Sequence, residues 1–170
     1  MQVRLVPIIP GQEASARAAA SAAPGFDTVS EHVDAVIAGQ SKLYGRTCPE
    51  PPWIGYLAFD TMDGNVVGSC SFISHEGAIE IAYFTFPPFE GRGYATAMAG
   101  ALVDLAMRQA EPPRLLAFTL SAPGPSSRIL EGLGFNRAGT SIDHEAGEVW
   151  AWEKIPGNGA ASRHHSTAVD

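Results

Sequence analysis

The spacing of apolar positions along this chain changes several times, and the changes divide it into elements. VRLVPI at residues 3–8 alternates apolar and polar side chains and predicts a first strand. GQEASARAAASAAPG is Ala-rich and closed by Pro24 and Gly25, which predicts a helix. In TVSEHVDAVIAGQSKLYG, Val29, Val33, Val36, Ile37 and Leu43 recur at helical spacing and predict a second. Pro49, Pro51 and Pro52 in RTCPEPPW remove backbone donors and fix φ, so this stretch is a loop. WIGYLAFD and NVVGSCSFI follow, joined across Thr61 to Gly64 with Asp63-Gly64 as the turn signal, and predict an antiparallel hairpin. A turn from His75 to Gly77 leads into a third strand, AIEIAYFTF.

Pro87 and Pro88 stop that strand. From Arg92 to Ala110 the positions Tyr94, Ala95, Met98, Leu102, Leu105 and Ala106 mark an amphipathic helix that ends before Pro112 and Pro113. LLAFTL is a buried strand, and Pro125, Ser126 and Ser127 open a helix running to Gly132. FNRAGTSID and GEVWAWEK, separated by His144 to Gly147, predict a final hairpin. The resulting order is strand, two helices, three strands, helix, strand, helix, two strands. It is a mixed α/β architecture with one β-α-β crossover in its middle. Residues 156–170, PGNGAASRHHSTAVD, hold almost no large apolar side chain and cannot offset the entropy of ordering, so they are expected to be a disordered tail. Residues 1–155 are expected to form a single domain, consistent with 170 residues of which 45% are hydrophobic.

Charge and cysteine content narrow the function classes. The net charge is −7, and the 11 Lys and Arg residues are spread along the chain, which argues against a nucleic-acid binder. The same charge weakly favours a cationic partner such as an amine, and solubility explains it equally well. The five histidines and two cysteines lack metal-ligand spacing, so no metal is expected. No apolar run reaches the roughly 18 residues of a membrane span, and the N-terminus lacks a signal-peptide pattern. The expectation is a soluble, cytoplasmic protein with no membrane partner.

FEGRGYAT at residues 89–96 carries the most specific chemistry. No Lys follows its glycines, so it is not a Walker loop, and Thr96 stands where a dinucleotide fingerprint has its third glycine. What remains is a proline-stopped strand, a glycine turn and a helix start whose free N–H groups, macrodipole and Arg92 suit a pyrophosphate.

AIEIAYFTFPPFEGRGYATAMAGALVDLA, followed by SSRILEGLGF, resembles the GNAT superfamily of acyl-CoA-dependent N-acetyltransferases, in particular the branch similar to ribosomal-protein N-terminal acetyltransferases. The family's Gln or Arg, two residues, Gly, one residue, Gly or Ala pattern is occupied by Glu90 to Ala95, with Glu90 in its first position. The family's Asn for the pantetheine arm falls at Gly124 and its general-acid Tyr at Leu130. The resemblance covers roughly residues 52–155 and implies a mostly antiparallel sheet of about six to seven strands around the central crossover.

The resemblance further implies acetyl-CoA as co-substrate, held in a V-shaped opening between the strands Ile79–Phe86 and Leu115–Leu120. The backbone of Tyr83, Phe84 and Thr85 would take the pantetheine like an added strand, with Phe86 as a further cofactor-binding residue. The N–H groups of Gly91, Arg92, Gly93, Tyr94, Ala95 and Thr96 would take the pyrophosphate, and Arg128 either approaches a phosphate or is a plain surface residue. Glu80 interrupts an apolar run on the first of these strands and is the candidate base, directly or through water; the other reading is a solvated or structural carboxylate. Ser127 matches the motif's Ser and either binds the pantetheine or protonates the thiolate, or else caps a helix.

The acceptor is an amine, a peptide N-terminus or a small molecule, with Tyr44, Trp53 and Tyr56 either lining its side of the opening or packing the core. Trp150 and Trp152 share one face of the last strand and pack the core, face the acceptor or meet a second copy in a homodimer. A catalytically silent acyl-CoA-binding module of the same fold is the alternative function.

Overall fold

The computed structural model describes residues 1–157. Its elements are strand β1 (Val3–Ile8), helices α1 (Glu13–Ser21) and α2 (Ser30–Thr47), and strands β2 (Gly55–Asp60), β3 (Val66–His75) and β4 (Ala78–Thr85). Helix α3 (Tyr94–Met107), strand β5 (Leu115–Leu120), helix α4 (Pro125–Gly132) and strands β6 (Asn136–Asp143) and β7 (Gly147–Lys154) complete the fold. The seven strands form one sheet in the order β1-β2-β3-β4-β5-β7-β6. Every pairing is antiparallel except β4 with β5, which α3 joins as the crossover. The mixed, mostly antiparallel fold class and the element order are those the sequence predicts.

Several bounds move for local reasons. α1 ends at Ser21, ahead of Pro24, while α2 continues through Thr47 to a left-handed Cys48 at φ 43°. α3 begins at Tyr94 rather than Arg92, because Gly91 and Gly93 hold φ values of 72° and 86°, which are not helical. Pro156 and Gly157 form a turn. The remainder of the expected tail, 158–170, lies outside the described residues.

Register assigns the two faces of the sheet. Gly68 lies opposite Thr85, Cys70 opposite Tyr83 and Phe72 opposite Ile81, so these share a face. A Cβ on Gly68 would fall 2.9 Å from the Met98 methyl, which shows that this face packs on α3. Glu80, Ala82 and Phe84 take the opposite face, toward α2. There the His32 ring stacks on Phe86 at 5.4 Å and lies 6.5 Å from Phe84.

Leu57, Val67, Phe86, Met98, Leu102 and Leu130 are completely buried, each contributing on the order of 1.5–3 kcal/mol by leaving water. Tyr44 is a core residue: its hydroxyl donates to the Ile8 carbonyl at 2.7 Å and accepts the Gly55 N–H at 2.8 Å, tying α2 to β1 and β2. Tyr56 is likewise buried and donates to the Pro52 carbonyl, and Trp53 packs edge-on against Phe72. Trp152 is buried and donates to the Thr119 hydroxyl at 2.9 Å, while Trp150 lies under the Arg137 guanidinium at 4.2 Å. Core packing is therefore the role of Tyr44, Tyr56 and Trp152.

Candidate active site

β4 and β5 pair only at Ile79 with Leu115 and Glu80 with Leu116. Past these two rungs the strands part, although β4 continues to Thr85 and β5 to Leu120. Backbone polar groups alternate between the edges of a strand. The Ile79 N–H donates to the Arg114 carbonyl on the β5 side, whereas the Phe86 N–H donates to the Val67 carbonyl on the β3 side. The polar backbone of Tyr83 and Thr85 therefore faces the opening between the strands. That of Phe84 and Phe86 serves β3, and the fully buried Phe86 ring packs under His32. Of the expected residues 83–86, strand parity turns only the backbone of Tyr83 and Thr85 to this opening.

The opening ends at the start of α3. After a 3-10 turn over Pro87–Phe89, Gly91 and Gly93 bend the chain through the left-handed region, and the first helical bond runs from the Ala97 N–H to the Gly93 carbonyl. The N–H groups of Tyr94, Ala95 and Thr96 precede that bond and have no partner within the helix. A Cβ on Gly91 would meet nothing within 4 Å, and one on Gly93 only the Met1 side chain at 3.8 Å, so the backbone is open on its outer side. A cavity of about 560 Å³ lies there, lined by this turn together with Thr85, Pro125 and Arg128. The donors, the bend and the guanidinium fit a pyrophosphate. Glu90 lines the same cavity and is exposed, which leaves its carboxylate free to turn to solvent. Arg92 is exposed, its guanidinium 5.6 Å from the Phe89 ring.

Tyr94 has a second role that sequence reading missed. Its ring is buried, and its hydroxyl donates to Asp60 Oδ2 at 2.8 Å. Asp60 Oδ1 accepts the N–H groups of Met62 at 2.6 Å and Asp63 at 3.0 Å. The glycine turn is thereby fixed to the β2–β3 connection. The Tyr94 hydrogen bond, then the two backbone donors, hold the Asp60 carboxyl below its ordinary range. Burial, then the bond to Asp60, pushes the Tyr94 phenol up to about 12.

Glu80 sits at the last rung before the strands part. It is partly buried, with Oε2 2.6 Å from His75 Nε2 across the β3–β4 turn. Ser127 is buried and committed locally: Oγ accepts the Gly124 N–H and donates to the Gly124 carbonyl, each at 2.9 Å. It lines a separate cavity of about 360 Å³ with Glu131, Arg137 and Trp150, away from the glycine turn. The helix-capping alternative is the one this geometry carries, because both hydrogen-bonding directions of the hydroxyl are used. The overlooked group is the Tyr83 side chain, which is partly buried on the face of the sheet shared with Thr85; burial raises its pKa. Leu130, where the family places a tyrosine, is completely buried.

Among the described residues, no group of three or more His, Cys, Asp and Glu side chains is arranged to hold a metal ion, and no helix is long and apolar enough to cross a membrane. Cys48 is exposed, Cys70 is buried, and both are free thiols.

A sheet split beside its crossover helix, with open backbone on one lip and a donor-rich helix start at its end, defines the fold of the acyl-CoA-dependent N-acetyltransferases. The acetyltransferase (GNAT) domain family matches residues 12–136, and the chain belongs to that family. No curated protein matches it. Among solved structures, the fold is similar to RimL, the ribosomal L7/L12 α-N-protein acetyltransferase in complex with coenzyme A, at 16% identity and a TM-score of 0.62 over 92% of this chain and 95% of that one. It is also similar to ribosomal-protein-S5-alanine acetyltransferase from Vibrio fischeri, at 15% identity and a TM-score of 0.61 over 92% and 93%. A third is spermidine/spermine N-acetyltransferase SpeG from Vibrio cholerae, at 13% identity and a TM-score of 0.60 over 90% and 92%.

Proposed function

We propose that this protein transfers an acetyl group from acetyl-CoA to a primary amine by direct attack in a ternary complex. The observation that carries this is the parting of β4 from β5 after two rungs, with Tyr83 and Thr85 presenting free backbone that leads to the glycine turn and the 560 Å³ cavity. Tyr83 and Thr85 bind the pantetheine arm as an added strand. The N–H groups from Gly91 to Thr96, with Arg128, bind the pyrophosphate, and Arg92 adds positive charge outside it. Glu80 takes the proton that the attacking nitrogen must lose, directly or through a water, and His75 orients its carboxylate. Tyr83, whose side chain shares a face with the cavity-lining Thr85, supplies the proton for the departing thiolate in place of Ser127. The acceptor enters from the α2 side, the face on which Glu80 stands. The proposal includes a cytoplasmic location, where the two free thiols stay reduced.

The test is thiol release from acetyl-CoA over a panel of amines, with CoA affinity measured alongside. Glu80→Gln is expected to lower kcat about 100-fold while leaving CoA affinity unchanged, the scale of lost general-base catalysis. An unchanged kcat and pH profile would make Glu80 structural. The position of Glu90 on the cavity rim favours a second reading, an acyl-CoA-binding module without turnover. It requires thermal stabilisation by CoA and no thiol release with any amine.

A further inference from the structure

Strand register fixes which side chains stand on the acceptor side of the opening. Leu116 lies opposite Glu80, so Leu116, Phe118 and Leu120 share the face of Glu80, Ala82 and Phe84, the one β4 turns toward α2. Three large apolar side chains are exposed here: Phe84 at 50%, Phe118 at 39% and Leu120 at 67%. Phe118 follows Leu116 by two residues, roughly 7 Å along the strand from the level of Glu80. His32 of α2 approaches the Phe84 ring at 6.5 Å and completes an aromatic border.

Single exposed apolar residues are ordinary, but a group flanking an opening marks a contact surface. The charges on the same face are few and matched. Glu80 carries His75 at 2.6 Å, and Glu153, opposite Leu116, carries Arg114 at 3.0 Å. A polyamine is recognised by several free carboxylates spaced along its length, and among the described residues the strands place no such row on this face.

We infer that the acceptor is a primary amine carried on an aromatic or branched apolar group, with its nitrogen toward Glu80 and its body against Phe84, Phe118 and Leu120. The inference rests on the acetyltransferase reading and names its substrate class. The neutral nitrogen bonds to the acetyl carbon as the carbon–sulfur bond breaks; the nitrogen loses one proton to Glu80 and the thiolate gains one, giving an N-acetylated amine and free CoA thiol. The apolar body leaves water as it docks, and the Phe84 and His32 rings offer edge and face contacts to an aromatic group.

The test uses the full chain with acetyl-CoA and follows thiol release with 2-phenylethylamine, tryptamine and spermidine. At least a tenfold higher kcat/KM for the two arylalkylamines than for spermidine is expected. Combined Phe118→Ser and Leu120→Ser substitution is expected to lower kcat/KM for the arylalkylamines at least tenfold, with an unchanged dissociation constant for CoA as the control for folding. Preference for spermidine, or a double variant that keeps the full arylalkylamine rate, overturns the inference while leaving acetyl transfer in place. A dimer that the double substitution converts to monomer with selectivity unchanged also overturns it and assigns the face to a second copy. Failure of CoA to bind, or CoA binding without thiol release from any amine, defeats the acetyltransferase reading itself and this inference with it.

Discussion

Tyr94 gives the glycine turn its fixed position, and the bond that does so is sensitive to pH at both ends. Asp60 has a lowered folded pKa, so its contribution is present above the unfolded value of 3.8 and is lost as pH falls through the depressed folded value. Tyr94 has a raised folded pKa, so its contribution is complete below 10.0 and is lost as pH rises through about 12. Tyr94→Phe keeps the ring and removes the donor. It should destabilise the fold by about 1.5–3 kcal/mol, the scale of a hydrogen bond to a charged group. Urea unfolding across pH should show the difference from wild type shrinking toward both extremes; a constant difference would mean that packing alone is involved. The sequence did not disclose this pair, since the partners are 34 positions apart and only the fold brings them together. Glu80, in contrast, was legible as a polar break in an apolar run. Its partner His75 was hidden because the sequence pattern places it in the turn, whereas it ends β3 and its strand register puts it on the face of Glu80.

At the level of elements, the glycines fix how closely strand, turn and helix approach. Gly93 holds φ 86° with open space beside it, so a side chain there costs backbone strain more than a clash. Gly93→Val should raise the CoA dissociation constant at least tenfold by redirecting the N–H groups, and it should destabilise by about 1–2 kcal/mol. Calorimetry with CoA measures the first and urea unfolding the second; unaltered affinity would remove the pyrophosphate from this turn. Gly68 is the opposite case. Its Cβ would clash with the Phe84 carbonyl and fall 2.9 Å from the Met98 methyl, so Gly68→Ala should destabilise by about 1–3 kcal/mol through overpacking between sheet and α3, read as a lower urea midpoint. Element order was legible because prolines at 49–52, 87–88 and 112–113 and the Asp63-Gly64 turn punctuate the pattern. The exact start of α3 was not, because Arg92 fits a helical pattern and only the backbone angles of the flanking glycines exclude it.

Across the whole molecule, the sheet is continuous in hydrogen bonding except at its middle, where two rungs join β1–β4 to β5–β7. Sequence pattern does not show this, and it does not show that β7 rather than β6 pairs with β5. The difference lies in burial: β7 brings Val149 and Trp152 into the interior, whereas every residue of β6 is exposed. Packing holds the halves together, because one core cluster contains Ile8 and Leu57 from the first and Leu115 and Trp152 from the second. Residues 1–155 should therefore unfold in one cooperative transition, and a chain ending at Gly157 should keep the wild-type free energy of unfolding within about 0.5 kcal/mol. On the proposed reading, a coenzyme held by Tyr83 and Thr85 on one lip and by Arg128 beyond the other would span the weak seam. At 100 times its dissociation constant, CoA should add about 2.7 kcal/mol to the unfolding free energy while leaving a single transition. If unfolding instead splits in two, with CoA raising only the transition that contains β1 to β4, the two lips do not share the ligand and the opening between β4 and β5 is not its seat.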